Sequence, residues 1–399
     1  MAEDNPNPET GEVNLFSSEF AAHPQPVYQQ MHERCPVARA AITGSPVLTR
    51  YEDVIWALRH PEIFSSEMEM QLALGTQRPM IPQQIDPPEQ TRFRRILDPR
   101  FSRRRVKEIE PDVRRHANAL IDKIVDLGEC EFDSAFAIPL PCTVFLSLLG
   151  LPQEDLDLFL ELKDGIIRPK TTSADPEEAA KLRAATGSQI YSYFERVIDE
   201  RKASPREDTM TYLVNAEIEG KKLTRNEILD ICFLMLLGGL DTVTATLGCN
   251  IAFLASNPEH RRRIVDDPKL IANAIEEMLR FETPVTGVPR IAKQNVTVGG
   301  FEIKEGEMVM LLLGAADIDK DAFRGADRVD FDRERNRHVA FGAGPHRCLG
   351  SHLARMELTV AMEEWHRRIP DYAIKPGESP RVSPGIREVQ YLPIVWEVR

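Results

Sequence analysis

The chain has 399 residues, 42% of them hydrophobic and 28% charged, with a formal net charge of −13. Those fractions are ordinary for a globular protein, and the acidic balance argues against generic nucleic-acid binding. No linker, repeat or low-complexity block divides the chain. The expectation is one mainly α domain over 1–399 with a small β-rich region, residues 1–20 forming a flexible N-terminal segment.

The first ten residues are acidic and proline-rich, without the basic start and apolar run of a signal peptide. Residues 46–50 read as a strand, and Tyr51 to Arg59 as a helix stopped by His60-Pro61. The stretch 66–85 is irregular. Helical patterns run from Pro88 to Phe281, interrupted by a loop at Pro169 to Pro176. Within them, Thr224-Arg-Asn-Glu227 is a capping-box start and Asn257-Pro258 a stop. The roughly 32 residues between would span about 48 Å. A helix that long and that apolar must cross the middle of the domain.

Its most apolar stretch, Ile231 to Leu240, lies between Asp230 and Asp241 and falls short of the roughly 20 residues a bilayer requires. A cytoplasmic protein without a membrane anchor is expected. After Phe281, prolines, glycines and β-branched runs at 294–298 and 308–313 suggest strands and turns as far as Phe341. A last helix runs from Leu349 to Arg368, ended by Pro370. The six cysteines (35, 130, 142, 232, 249 and 348) form no C-x-x-C pair, so a zinc site or redox dithiol has no support.

One cysteine stands apart. Phe341-Gly-Ala-Gly-Pro-His-Arg-Cys348-Leu-Gly350 crowds three glycines and a proline around a thiol just before an apolar helix. Backbone N–H groups at a helix start favour a thiolate and lower the thiol pKa. Glycines let the backbone pass close to a flat ligand. The pattern F-G-x-G-x-H-x-C-x-G resembles the haem-binding loop of the cytochrome P-450 family, with Phe341, Gly342, Gly344, His346, Cys348 and Gly350 all matching. The resemblance implies that Cys348 is the axial ligand of a haem b iron. It makes His346 a propionate contact, and it implies the family's prism fold, the haem held between the long central helix and the Cys-loop helix.

The centre of the long helix, Gly238-Gly-Leu-Asp-Thr242, breaks local rules. Two helical glycines cost about 1 kcal/mol each relative to alanine, and an aspartate in an apolar helix costs more unless paired. The stretch is similar to the family's acid–alcohol motif, and with Val243 most similar to that of camphor-type hydroxylases. Gly238 and Gly239 would then open a groove for O2 beside the haem. Asp241 would deliver protons, and Thr242 would hold the activated oxygen by a hydrogen bond. Glu277-Met-Leu-Arg280 matches the family's E-x-x-R pair, and Arg328 is the expected third partner. Arg94 and Arg290 match propionate-binding arginines, while Gln90 stands where many members carry His.

The resemblance implies reductive activation of O2 and insertion of one oxygen atom into a C–H bond of a small hydrophobic substrate, with a terpenoid favoured. Electrons would come from an iron–sulfur ferredoxin and its NAD(P)H-dependent reductase. The seven arginines between Arg92 and Arg105, with Arg347 and Arg355, offer a basic docking face. A peroxide-driven enzyme and a haem sensor are the alternatives, and the Asp241–Thr242 pair speaks against both. The substrate pocket is expected from residues 68–84, 166–175, 285–288 and 383–386 together with the long helix.

Overall fold

The computed structural model describes residues 12–15, 17–34, 37–68, 74–171, 176–383 and 386–398. Parts of the expected pocket lining, at 69–73, 172–175 and 384–385, lie outside the described residues. Helices dominate, as expected. A six-stranded mixed sheet lies beside them, its strands in the order Glu12–Val13, Val37–Ala40, Pro46–Leu48, Met308–Leu311, Val288–Ala292 and Phe64–Ser65. The register puts Arg290 opposite Val309, fixing this arginine at the middle of a strand. Within the first twenty residues, expected to be a flexible tail, Glu12–Val13 pairs with Arg39 and Ala40 and Phe20 is buried edge-on against Tyr28. These contacts hold Glu12–Val13 and Phe20 in place.

The Cys-loop helix, Ser351–Arg368, packs along Arg103–Ile121 and against Thr242–Ser256. Trp365 is fully buried at this junction, perpendicular to Phe132 with ring centroids 4.8 Å apart. Leu349, next to Cys348, packs on the cluster that contains Leu236 and Leu240. The central helix and the cysteine loop therefore share one region of the core.

The central helix begins as its sequence predicts. Thr224 accepts from the Glu227 N–H while the Glu227 carboxylate accepts from Thr224 N, a reciprocal capping box. It is not one straight rod. Arg225–Leu240 and Thr242–Ser256 are two helices meeting at Asp241. The hydroxyls of Thr242, Thr244 and Thr246 donate to the carbonyls of Gly238, Leu240 and Thr242. Hydroxyls that bond carbonyls four residues back bend helices, and two glycines just before the bend remove side chains that would resist it. By length and composition the pair could cross a membrane, but 67% of its most apolar window is buried in the protein, as a core helix requires.

The E-x-x-R pair forms. Arg280 donates to Glu277 at 2.9 and 2.8 Å, both side chains fully buried. The third partner is Arg333, not Arg328: its guanidinium reaches Glu277 at 2.8 and 3.2 Å. Arg328 is exposed and contributes only its carbonyl, to Arg280. The chain turns between the two arginines, and the turn carries the later one inward.

Candidate active site

The cysteine loop is held from several sides. Gly342 and Gly344 have φ of 64° and 66°, and a Cβ on Gly344 would lie 2.2 Å from the Leu58 carbonyl oxygen. Only glycine fits there. The Cys348 N–H donates to Phe341 O at 2.8 Å, closing the loop. Asp317, fully buried, accepts from Val339 N at 2.6 Å and fixes the strand of chain that enters it. Arg94 donates to Arg347 O at 2.8 Å and pairs with Asp98. Arg355 stacks over Phe341, 4.4 Å from the ring centre, and pairs with Glu276.

Gln90 departs from its expected part. Its amide donates to Pro345 O at 2.6 Å, so it supports the loop rather than presenting a donor to a ligand.

Cys348 is open to a water-sized probe, yet burial is the first cause that raises its thiol pKa. Both hold when the sulfur lines an interior hollow instead of the outer surface. The Gly350 N–H bond to the sulfur and the nearby Arg94, Arg347 and Arg355 all favour the thiolate, but burial outweighs them. The sequence expected the helix start to lower this pKa; the net shift is upward. A coordinating cation would reverse that balance, because it deprotonates thiols outright.

The central helix, packed on the same core cluster as Leu349, has an open face of its own. Gly238 is exposed in a helix whose flanks are buried, and Leu234 and Thr242, one turn either way, are partly open. A Cβ on Gly238 would meet nothing within 4 Å. Gly239 does not share this face: its Cβ would lie 3.4 Å from the Phe145 ring, so it is a packing contact. The Thr242 hydroxyl donates to Gly238 O at 3.1 Å.

Two further residues carry orphaned donors. His346 Nε2 is buried with no partner among the described residues, and burial together with the Arg290 charge pulls its pKa down to about 4. Arg290 is nine-tenths buried, its pKa lowered to about 10 by burial, and among the described residues its guanidinium bonds only the neighbouring Pro289 carbonyl. Buried donors ordinarily find acceptors. A flat group with carboxylate arms would supply them, Cys348 would offer its metal a thiol ligand, and Gly238 adds open space nearby. The residues present fit a haem.

Asp241 points elsewhere. It is fully buried and bound to Arg168 at 3.1 Å and Lys163 at 3.4 Å. Arg168 also pairs with Glu388. The sequence reading missed Lys163, Arg168, Glu388 and Arg333. One signal was present: Lys163 lies on the buried stripe of Phe159, Leu162 and Ile166, where a charge demands a partner.

A cysteine-anchored hollow against a bent core helix defines a class, and comparisons with known proteins identify the family. Residues 165–365 match the family described as cytochrome P-450. The chain is 38% identical to "Probable cytochrome P-450 127A1" of Sinorhizobium fredii over 84% of its own length and 80% of the relative's. It is 33% identical to a steroid C26-monooxygenase of Mycolicibacterium smegmatis, covering 90% and 89% of the two chains. The solved structure of CYP109E1 from Bacillus megaterium in complex with testosterone superimposes with a TM-score of 0.88 at 30% identity, over 96% of this chain and 100% of that one. The chain belongs to the cytochrome P-450 family and has its fold. It is a monooxygenase whose cofactor is haem on an axial cysteine thiolate.

Proposed function

We propose that the protein hydroxylates a hydrophobic alicyclic molecule of terpenoid or steroid size, with Cys348 as the haem ligand. The observation that carries this reading is the exposed Gly238, with Leu234 and Thr242 partly open one turn either way, at the centre of a core helix that shares a core region with the cysteine loop. The relatives' names, including a mycinamicin IV hydroxylase/epoxidase, steroid C26-monooxygenases and a vitamin D(3) 25-hydroxylase, favour bulky apolar skeletons. His346 and Arg290 would satisfy the propionates, with Arg94 beside them. The haem, when bound, supplies reductive activation of O2 for insertion into a C–H bond.

The chain's own groups handle protons and space. Gly238 leaves room above the cofactor face, and Thr242 presents a hydroxyl at the edge of that room. Asp241, adjacent in sequence and held by Arg168 and Lys163, is the carboxylate that would move protons towards it. Titrating the haem protein with alicyclic compounds and following its Soret band tests the substrate class; no shift with any steroid or terpenoid would exclude it.

Thr242→Ala is expected to uncouple the enzyme: reduced nicotinamide is still consumed, but hydrogen peroxide replaces most of the hydroxylated product. Asp241→Asn is expected to slow turnover itself, by about 10²-fold as for loss of a positioned acid–base group. Parallel assays of nicotinamide, peroxide and product check both. Full coupling in Thr242→Ala would remove the hydroxyl from the mechanism.

Electrons would come in the cytoplasm from an acidic ferredoxin served by an NAD(P)H-dependent reductase. Arg95, Arg103, Arg104 and Arg347 are exposed and, among the described residues, form no ion pair. His352, one turn after Cys348, has its pKa lowered by burial and then by Arg103, Arg347 and Arg355, which puts these three charges near one another. Arg355, committed to Glu276, is a poorer docking residue than the sequence suggested. Complementary fields raise encounter rates by ~10–10³-fold, and the Debye length falls from about 30 Å at 0.01 M salt to about 10 Å at 0.1 M. Reduction by ferredoxin is expected to slow with salt, and with Arg95→Glu or Arg104→Glu, while substrate-induced spectral shifts stay unchanged. Kinetics indifferent to both would move the docking site elsewhere.

A further inference from the structure

Asp241 does not hold Arg168 alone. The same guanidinium nitrogen, Nη2, bonds Asp241 at 3.1 Å to each carboxylate oxygen and also bonds Glu388. Glu388 is 2% exposed and arrives from a different element, the strand Glu388–Tyr391. Its place is fixed on both sides. Arg387 N donates to Pro284 O at 2.8 Å and its side chain pairs with Glu282, while Val389 packs against Gly248 of the central helix. The other neighbours are accounted for. Asp164, half exposed, pairs with both cations, at 3.1 Å to Lys163 and 3.3 Å to Arg168. Asp133 also lies within electrostatic reach of Glu388.

We propose that Glu388 is a positioning residue for proton delivery: by sharing Arg168, it weakens the grip of that arginine on Asp241 and leaves the Asp241 carboxylate able to move. Two buried carboxylates on one N–H₂ group divide its attraction, and in the interior water screens little of it. Neutralising Glu388 would leave Asp241 as the one charged acceptor on Nη2. The ion pair would tighten, and the carboxylate would part from it more slowly. The inference rests on the reading that Asp241 moves protons.

The test is a double-mutant cycle of Glu388→Gln and Asp241→Asn on the haem-loaded enzyme, with a spectral titration of substrate affinity. Gln keeps an acceptor oxygen for Arg168, so the fold is retained. Glu388→Gln is expected to lower kcat by roughly tenfold, the size that couplings within one hydrogen-bonded network reach. It should raise the solvent deuterium isotope effect, leave substrate affinity unchanged, and do nothing further in the Asp241→Asn background. The cycle is repeated on chemical denaturation, a readout independent of turnover, and the two substitutions are expected to be non-additive there too. If Asp241→Asn keeps wild-type kcat, the reading of Asp241 falls and the inference with it. If Asp241→Asn is slow but Glu388→Gln slows it further by an undiminished factor, or if the denaturation cycle is additive, Asp241 retains its role and the proposal for Glu388 alone is overturned.

Discussion

Replacing Cys348 by Ser or His is expected to abolish oxygen insertion while leaving the chain folded. Cys348 is exposed and, among the described residues, belongs to no hydrophobic cluster, so the substitution removes little packing. The loop around it is held by other groups: the Cys348 N–H to Phe341 O bond is backbone, and Asp317, Gln90 and Arg94 grip the loop at Val339, Pro345 and Arg347. The haem-free chain of both variants should therefore stay folded, which a single cooperative denaturation transition would show. The ligand field changes completely, because sulfur donation is what promotes O–O cleavage. In the wild type, the reduced carbon-monoxide complex should show the strongly red-shifted Soret band of thiolate ligation, and both variants should lose it. A globin-like spectrum from folded, freshly reduced wild type would sink the assignment of Cys348.

Much of this site was legible because its signals are local. Three glycines, a proline and one cysteine in ten residues need no tertiary information, and Gly344 is demanded by a backbone only 2.2 Å from its absent Cβ. The capping box at Thr224 is also local, and it fixes the start of the central helix. Its bend was not legible, because three threonine hydroxyls turn back on the helix only when the surrounding packing favours that rotamer. Gly238 and Gly239 look alike in sequence; only the ring of Phe145 from another helix tells the open one from the packing one. Glu388 lies 147 residues from Asp241 and its partnership passes through a third element, so no spacing rule could have found it. Arg328 and Arg333 are both arginines at plausible distance from Glu277, and which one turned inward was a question of loop conformation.

Glu277→Ala is expected to cost the fold about 3–5 kcal/mol, the penalty for stripping the partner from a buried charge. The Glu277 carboxylate is fully buried and accepts from Arg280, Arg333, Asn336 and the Asp330 N–H. Arg280, equally buried, also donates to the carbonyls of Asp317, Ala326 and Arg328, so this one pair fastens the last turn of helix Ile271–Phe281 to the chain leading into the cysteine loop. Against a net stability of about 5–15 kcal/mol for a folded protein, that loss should lower the urea midpoint steeply and release haem earlier in the transition. Asp332→Asn, which disturbs the exposed Arg263 pair, should shift it by no more than about 0.5 kcal/mol. Burial alone would raise the Glu277 pKa, but the bonds from Arg280 and Arg333 overcome it and hold the pKa below the usual carboxylate value. A depressed native pKa contributes stability that is present above the unfolded value and lost as pH falls through the folded one. The stability gap between wild type and Glu277→Gln should therefore narrow as the solution is made acid through that depressed value. A gap that stays constant would mean that the carboxylate charge contributes nothing and that only its shape matters.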